Sequence, residues 1–285
     1  MVHSILLALL FVVTPALAQE RLSVRWEPRV VRQGDVAMVF LTGVRNGTSV
    51  EGNFAKQPLH FFSHGNGYAA LTGIDVEVKP GAQAWRIDVL DGRKPVKVSG
   101  TLQVKERKFH VQRLTLPKDM VELDEPTERR ALAEAARLKA LWGGGVPERL
   151  WKGHFFLPID SVSEGSGFGA RRIINDLPRS PHAGTDYAAD SGTPVRASNR
   201  GVVALVDEMF FPGRLVIIDH GLGLFTLYFH LESADVENGQ LVEKGQQIGR
   251  VGATGRSTGP HLHFGVQLRY ARLDPETLLQ LKLAE

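Results

Sequence analysis

Short apolar runs broken by glycine-bearing turns recur along most of this chain, and that pattern constrains its fold more than any other feature. Segments such as "DVAMVFLTG", "YAALTG", "AWRIDVLDGRKPVKVSGTLQV", "RLVIIDHGLGLFTLYFHL" and "GQLVEKGQQIGRVGATG" have strand length, and each is closed by a turn signal. Thirty glycines in 285 residues supply those turns. The chain therefore reads as mainly β, with room for roughly two cores. Residues 19–105 are expected to form an accessory β-sandwich, immunoglobulin-like in size, with Asp91-Gly92 as a hairpin signal. Residues 151–285 are expected to form a second β-sheet or barrel-sandwich domain, with the tail from Asp274 to Glu285 as a short helix.

Between them, residues 106–150 read as a charged linker that leads into a helix. Pro126 suits its first turn, Glu125 and Glu128 suit its positive end, and Gly143 to Gly145 stop it. Leu132, Ala135, Leu138 and Trp142 fall on one face, so the helix should dock, either as a packed spacer or as a lid over a site.

At the start of the chain, "ILLALLFVV" (residues 5–13) precedes Ala16-Leu17-Ala18, the pattern of a secretory signal cleaved after Ala18. That apolar run is short for a membrane span, so the mature chain is expected to be exported without one. With no cysteine there are no disulfides and no thiol nucleophile. The net charge of +3 is spread along the chain and makes no case for nucleic-acid binding.

Five side chains suggest chemistry. In "HLHFGV", period-two alternation sends His261 and His263 to one strand face. In "PHAGTDYAA", His182 and Asp186 have the same parity, and "LYFHL" adds His230 from a third strand. A catalytic zinc takes three nitrogen or oxygen ligands and keeps a fourth position for water. His182, Asp186 and one of His261 and His263 would provide two imidazoles and a carboxylate. The remaining histidines would move protons and stabilise an oxyanion.

The motifs "HAGTD", "YFHL" and "GATGRSTGPHLHF", in this order, resemble the signature motifs of the lysostaphin/LytM-type zinc metallopeptidases, which cut peptides in bacterial peptidoglycan. The likeness covers roughly Phe155 to Tyr270. It implies one Zn2+ held by His182, Asp186 and His263, with His261 as general base toward the water at the metal and His230 as partner at the oxyanion. It also implies a periplasmic enzyme acting on peptidoglycan stem peptides or cross-links. The family includes regulators that have lost zinc ligands, but every ligand position is filled here. His220 reads as structural, His60 and His64 as structural or surface residues, and Arg171 and Asn175 as candidates to line a substrate groove or to sit in a salt-bridged loop.

Overall fold

The structure is a computed structural model that describes residues 22–45, 47–90, 95–118, 121–160, 167–281 and 283. The candidate export signal and the Asp91-Gly92 turn lie outside the described residues.

Among the described residues, ten strands precede the helix: β1 (Ser23–Glu27), β2 (Val31–Arg32), β3 (Val36–Thr42), β4 (Ser49–Phe54), β5 (Gln57–Leu59), β6 (Phe61–His64), β7 (Gly67–Gly73), β8 (Gly81–Leu90), β9 (Pro95–Lys105) and β10 (Val111–Leu114). Two sheets, ordered β1-β3-β7-β6 and β2-β9-β8-β4-β5, face each other. Trp26, Val39, Leu41 and Ala70 from the first meet Phe54, Ile87, Leu102 and Val104 from the second in one core. This is the expected sandwich. Strand β3 is apolar at successive positions rather than alternating, because both of its faces are buried. Ala37, Val39 and Leu41 enter the sandwich core, while Val36 and Met38 point the other way into a second one.

After helix α1 (Glu125–Trp142) come β11 (Arg171–Ile174), β12 (Leu177–Pro178), β13 (Gly184–Ala188), β14 (Pro194–Arg196), β15 (Gly201–Met209), β16 (Gly213–Asp219), β17 (Leu224–Ala234), β18 (Leu241–Val242), β19 (Gln247–Val251), β20 (His261–Leu268), β21 (Ala271–Leu273) and helix α2 (Pro275–Gln280). The main sheet runs β13-β20-β17-β16-β15-β18, with β14, β19 and β21 attached to it. Its two faces differ. Leu262, Phe264 and Val266 of β20 join Tyr228 and Val216 in the core that also takes Val36, Met38, Ala69 and Leu71 of the sandwich. His261 and His263 alternate with them toward the opposite face. The sandwich therefore packs behind the sheet, on the side away from the histidines. Arg272 fastens it through Asp75 (2.9 Å) and Glu77 (2.5 Å), and Gly73 leaves space for Leu273, whose Cδ2 would lie 2.6 Å from an added Cβ.

Helix α1 begins at Asp124, whose side chain accepts from Thr127 N, and Pro126 lies in its first turn, as the sequence indicates. The docked face is rotated from the expected one. Leu132 is 64% exposed, while Ala131 is buried and Leu138, Leu141 and Trp142 pack on Leu205, Leu215 and Phe225. Polar contacts explain the rotation: Glu134 accepts from Phe210 N (2.8 Å), and Arg137 pairs with Asp207 (2.7 Å). The helix is thus packed against the β15–β16 part of the sheet.

His220 is structural, as expected. Its ring is fully buried, Nδ1 donates to Arg200 O (2.8 Å), and Nε2 lies 2.7 Å from the Thr226 hydroxyl. Burial pushes its pKa down from the ordinary 6.5 to about 4, so it is neutral in the fold. Below pH 6.5 the unfolded chain gains a proton that the folded chain does not. The stability linked to this group is full above pH 6.5, falls as pH drops toward 4, and is then constant. His220→Gln should therefore be less stable than the parent near pH 7.5 and lose stability less steeply between pH 6 and 4.5. Urea unfolding across that range checks this, and parallel curves for the two proteins would refute it.

Candidate metal centre

Antiparallel pairing of β13 with β20 sets Asp186 directly opposite His263 and Ala188 opposite His261. His182 lies two residues before β13 and is fixed by backbone bonds, its N–H donating to Ala170 O (3.0 Å) and its carbonyl accepting from Gly169 N (2.9 Å). The result is a triangle of ligand atoms. His182 Nε2 lies 2.9 Å from Asp186 Oδ1 and 3.0 Å from His263 Nδ1, and His263 Nδ1 lies 2.8 Å from Asp186 Oδ1. Gly184 makes room for this packing, since a Cβ there would fall 2.6 Å from His263 Nε2.

Three such atoms converging on one point fit a metal ion better than they fit one another. Two largely buried imidazoles and an anionic oxygen are a donor set suited to zinc. The electrostatics favour the ligating protonation states. Burial, against the pull of Asp186, lowers His182 to about 4 and keeps it neutral. Asp186 is held far below the carboxylate range: burial opposes its charge, but bonds from His182 and His263 outweigh that. Its second oxygen, Oδ2, accepts from Arg172 Nη2 at 3.1 Å, which leaves Oδ1 for the cluster.

The other two expected histidines stand beside this triangle. His261 Nδ1 donates to Gly259 O (2.9 Å), which fixes the tautomer and leaves Nε2 as a bare acceptor 3.8 Å from Asp186 Oδ1. Strand parity alone would send His230, like Tyr228, into the core behind the sheet. A β-bulge intervenes: the pairing of β16 with β17 shifts between Arg214 and Val216, and His230 has φ +63°. Phe229 and His230 both turn toward the histidines, and Leu231 returns to the core. The His230 ring centres 4.7 Å from that of His261, and Phe229 stacks on His263 at 5.1 Å. His230 N–H donates to Pro212 O and its Nδ1 to Thr254 O, both at 2.8 Å. Burial, then the neighbouring His263 and His261, lowers its pKa to about 3.

All five candidates thus meet on one sheet face. The groove candidates fare differently. Asn175 is committed to the linker, bonding Leu116 N and O, and Arg171 lies over the Phe109 ring (5.6 Å). His60 is half-buried and His64 packs against Phe40, both away from the cluster. Sequence reasoning missed Arg172 and the linker residue Gln112, which accepts from Arg172 Nε (3.1 Å). The double arginine in "FGARRI" was a usable signal for Arg172, but nothing in the sequence announces the parallel pairing of β10 with β11 that brings Gln112 there.

The sequence profile of "Peptidase family M23" matches residues 180–275. A crystal structure from Pseudomonas aeruginosa, described as an M23 peptidase, aligns with 87% of this chain and 94% of that one, at 30% identity and a TM-score of 0.68. The peptidoglycan DD-endopeptidase ShyA of Vibrio cholerae is 44% identical over 114 residues, 39% of this chain and 26% of that protein. The DD-carboxypeptidase/endopeptidase Mpg of Neisseria meningitidis is 46% identical over 94 residues, 33% of this chain and 22% of that protein. The matched stretch therefore spans about a quarter of the length of these curated relatives.

Ligands and neighbours can be separated by metal content. Metal-depleted protein should take up one equivalent of zinc, His182→Ala and His263→Ala should lose tight uptake, and His261→Ala should retain it. Elemental analysis after dialysis checks this; a fully loaded His182→Ala protein, or an empty His261→Ala protein, would reverse the assignment.

Proposed function

Because this chain belongs to peptidase family M23, we propose that it is a zinc-dependent endopeptidase hydrolysing peptide bonds in peptidoglycan stem peptides or cross-links. The observation that carries the reading is the convergence of His182, Asp186 and His263 within 3.0 Å of one another, with the bare Nε2 of His261 beside them. The names of the relatives from Vibrio and Neisseria support peptidoglycan as the substrate. A regulator without catalysis would not need the ligand set kept complete.

His182, Asp186 and His263 would hold the ion, which when bound supplies Lewis acidity, acidifying a water and polarising an amide carbonyl. His261 Nε2 accepts the proton of the attacking water, and the same nitrogen returns it to the departing amine. The Nδ1 bond to Gly259 O keeps the proton on Nδ1, so that Nε2 is the nitrogen that takes up and returns the transferred proton. His230 stands on the other side. Burial keeps it neutral at rest, and a negative oxygen beside it supplies the charge that makes its protonated, donating form favourable. The bond from Nδ1 to Thr254 O holds the ring in position for that exchange.

The same reading places the enzyme outside the cytoplasm, in the periplasm, with residues 1–18 as its export signal. Among the described residues, no helix is long and apolar enough to cross a membrane.

Incubating purified peptidoglycan with the protein and identifying the products by mass spectrometry tests the activity. The reading predicts that cross-linked muropeptides are converted to monomers in a zinc-dependent way. His261→Ala and His230→Ala should each lower the rate on the order of a hundredfold or more while keeping zinc. Unchanged muropeptides with zinc-loaded protein would contradict the proposal, and near-normal turnover in His261→Ala would remove its role as base.

A further inference from the structure

Beside the metal centre lies a group of guanidinium side chains that the chemistry above does not use. Strands β11 and β12 pair Ile173 with Pro178 and Ile174 with Leu177 around a two-residue turn, Asn175-Asp176, both at positive φ. Continuing that register sets Arg172 opposite Arg179, and the Arg179 N–H donates to Arg172 O (2.9 Å). Two like charges directly opposite in an antiparallel pair are destabilising. On this same strand face Arg172 reaches Asp186, so the pair borders the metal ligands.

A third arginine approaches from another loop. Arg256 sits between Thr254, which holds His230, and Ser257, whose hydroxyl lies 3.2 Å from His261 Nδ1. Its N–H donates to Phe211 O (3.0 Å) and its guanidinium lies 4.2 Å over the Phe211 ring. The side chain is half-buried, and its charged neighbours are Arg172 and Arg179. Burial first, and then repulsion from those two arginines, holds its pKa below the usual guanidinium range.

Among the described residues, neither Arg179 nor Arg256 makes an ion pair with a carboxylate, and Arg172 makes one only with Asp186, whose charge a bound zinc would already claim. A half-buried cation whose charged neighbours are two other cations is costly to maintain without a counter-charge. An anionic group on the substrate removes the cost. A planar guanidinium binds a carboxylate through two parallel hydrogen bonds, which fixes orientation as well as affinity.

We propose that Arg172, Arg179 and Arg256 form a carboxylate-binding subsite beside the metal, so that this enzyme selects peptides carrying a free carboxylate next to the scissile bond. The proposal rests on the peptidase reading and deepens it. Arg256 and Arg179 contribute binding and selectivity; Arg172 also steadies Asp186, so it is the less informative residue to substitute.

The test measures binding rather than turnover, so its outcome does not depend on whether the bond is cut. His261→Ala protein loaded with zinc is titrated calorimetrically with a cross-linked muropeptide dimer, and with the same dimer after its carboxylates have been converted to amides. The native dimer should bind at least about tenfold more tightly than the amidated one. Adding Arg179→Gln and Arg256→Gln should abolish that preference while leaving the affinity for the amidated dimer unchanged. Adding Arg179→Lys and Arg256→Lys, which keeps both charges, should retain part of it. Equal binding of the two dimers by the His261→Ala protein, no binding of either, or a preference that survives the double glutamine substitution would overturn the proposal. Muropeptide cleavage by the unaltered protein, followed separately, reports on the peptidase reading itself.

Discussion

The register between β13 and β20 is the constraint on which this site depends. It places Asp186 opposite His263 and allows His182, two residues before the strand, to complete the triangle. A slip of one residue would turn the histidines of β20 into the core and bring Leu262 and Phe264 out. The register is defended by burial. Leu262, Phe264 and Val266 are all but inaccessible, and each buried apolar side chain of this size contributes roughly 2 kcal/mol relative to exposure. The apolar face of one strand thus holds the polar face in place, and the cost of clustering two imidazoles and a carboxylate is offset behind the sheet.

The amino-terminal sandwich takes part in that support. Val36, Met38, Ala69 and Leu71 complete the core behind β20, and Arg272 ties Asp75 and Glu77 across the junction. The linker reaches the other side. Its strand β10 runs parallel to β11, and Gln112 holds Arg172, which in turn holds Asp186 Oδ2. Helix α1 bonds Phe210 N through Glu134, and the following residues supply the Pro212 carbonyl that receives His230 N–H. Segments far from this cluster in sequence therefore fix the orientation of its side chains.

Much of this was legible from the sequence because it follows from period two. The β-rich architecture and the shared face of His261 and His263 follow from alternation, whereas His182, two residues before β13, is brought to Asp186 by its backbone bonds to Ala170 and Gly169. Where alternation fails, period two no longer says where a side chain points: His230 was named from its motif and not placed by parity. His230 reaches the site only through a bulge at positive φ, a local departure that its neighbours do not announce. Leu132 was read onto the docked face of α1 because apolar spacing was the available signal, whereas Glu134 and Arg137 set the rotation through polar contacts with β15 and its following turn. Gln112 was missed because its role comes from a parallel pairing between segments about 60 residues apart.

We propose that one ion sits among His182, Asp186 and His263, with His261 beside it but not bound. Anomalous diffraction at the zinc edge from crystals of the zinc-loaded protein tests this most directly. The account predicts a single strong peak at roughly 2.0–2.2 Å from His182 Nε2, Asp186 Oδ1 and His263 Nδ1. A peak ligated by His261 in place of His263, or no peak within the cluster, would contradict it.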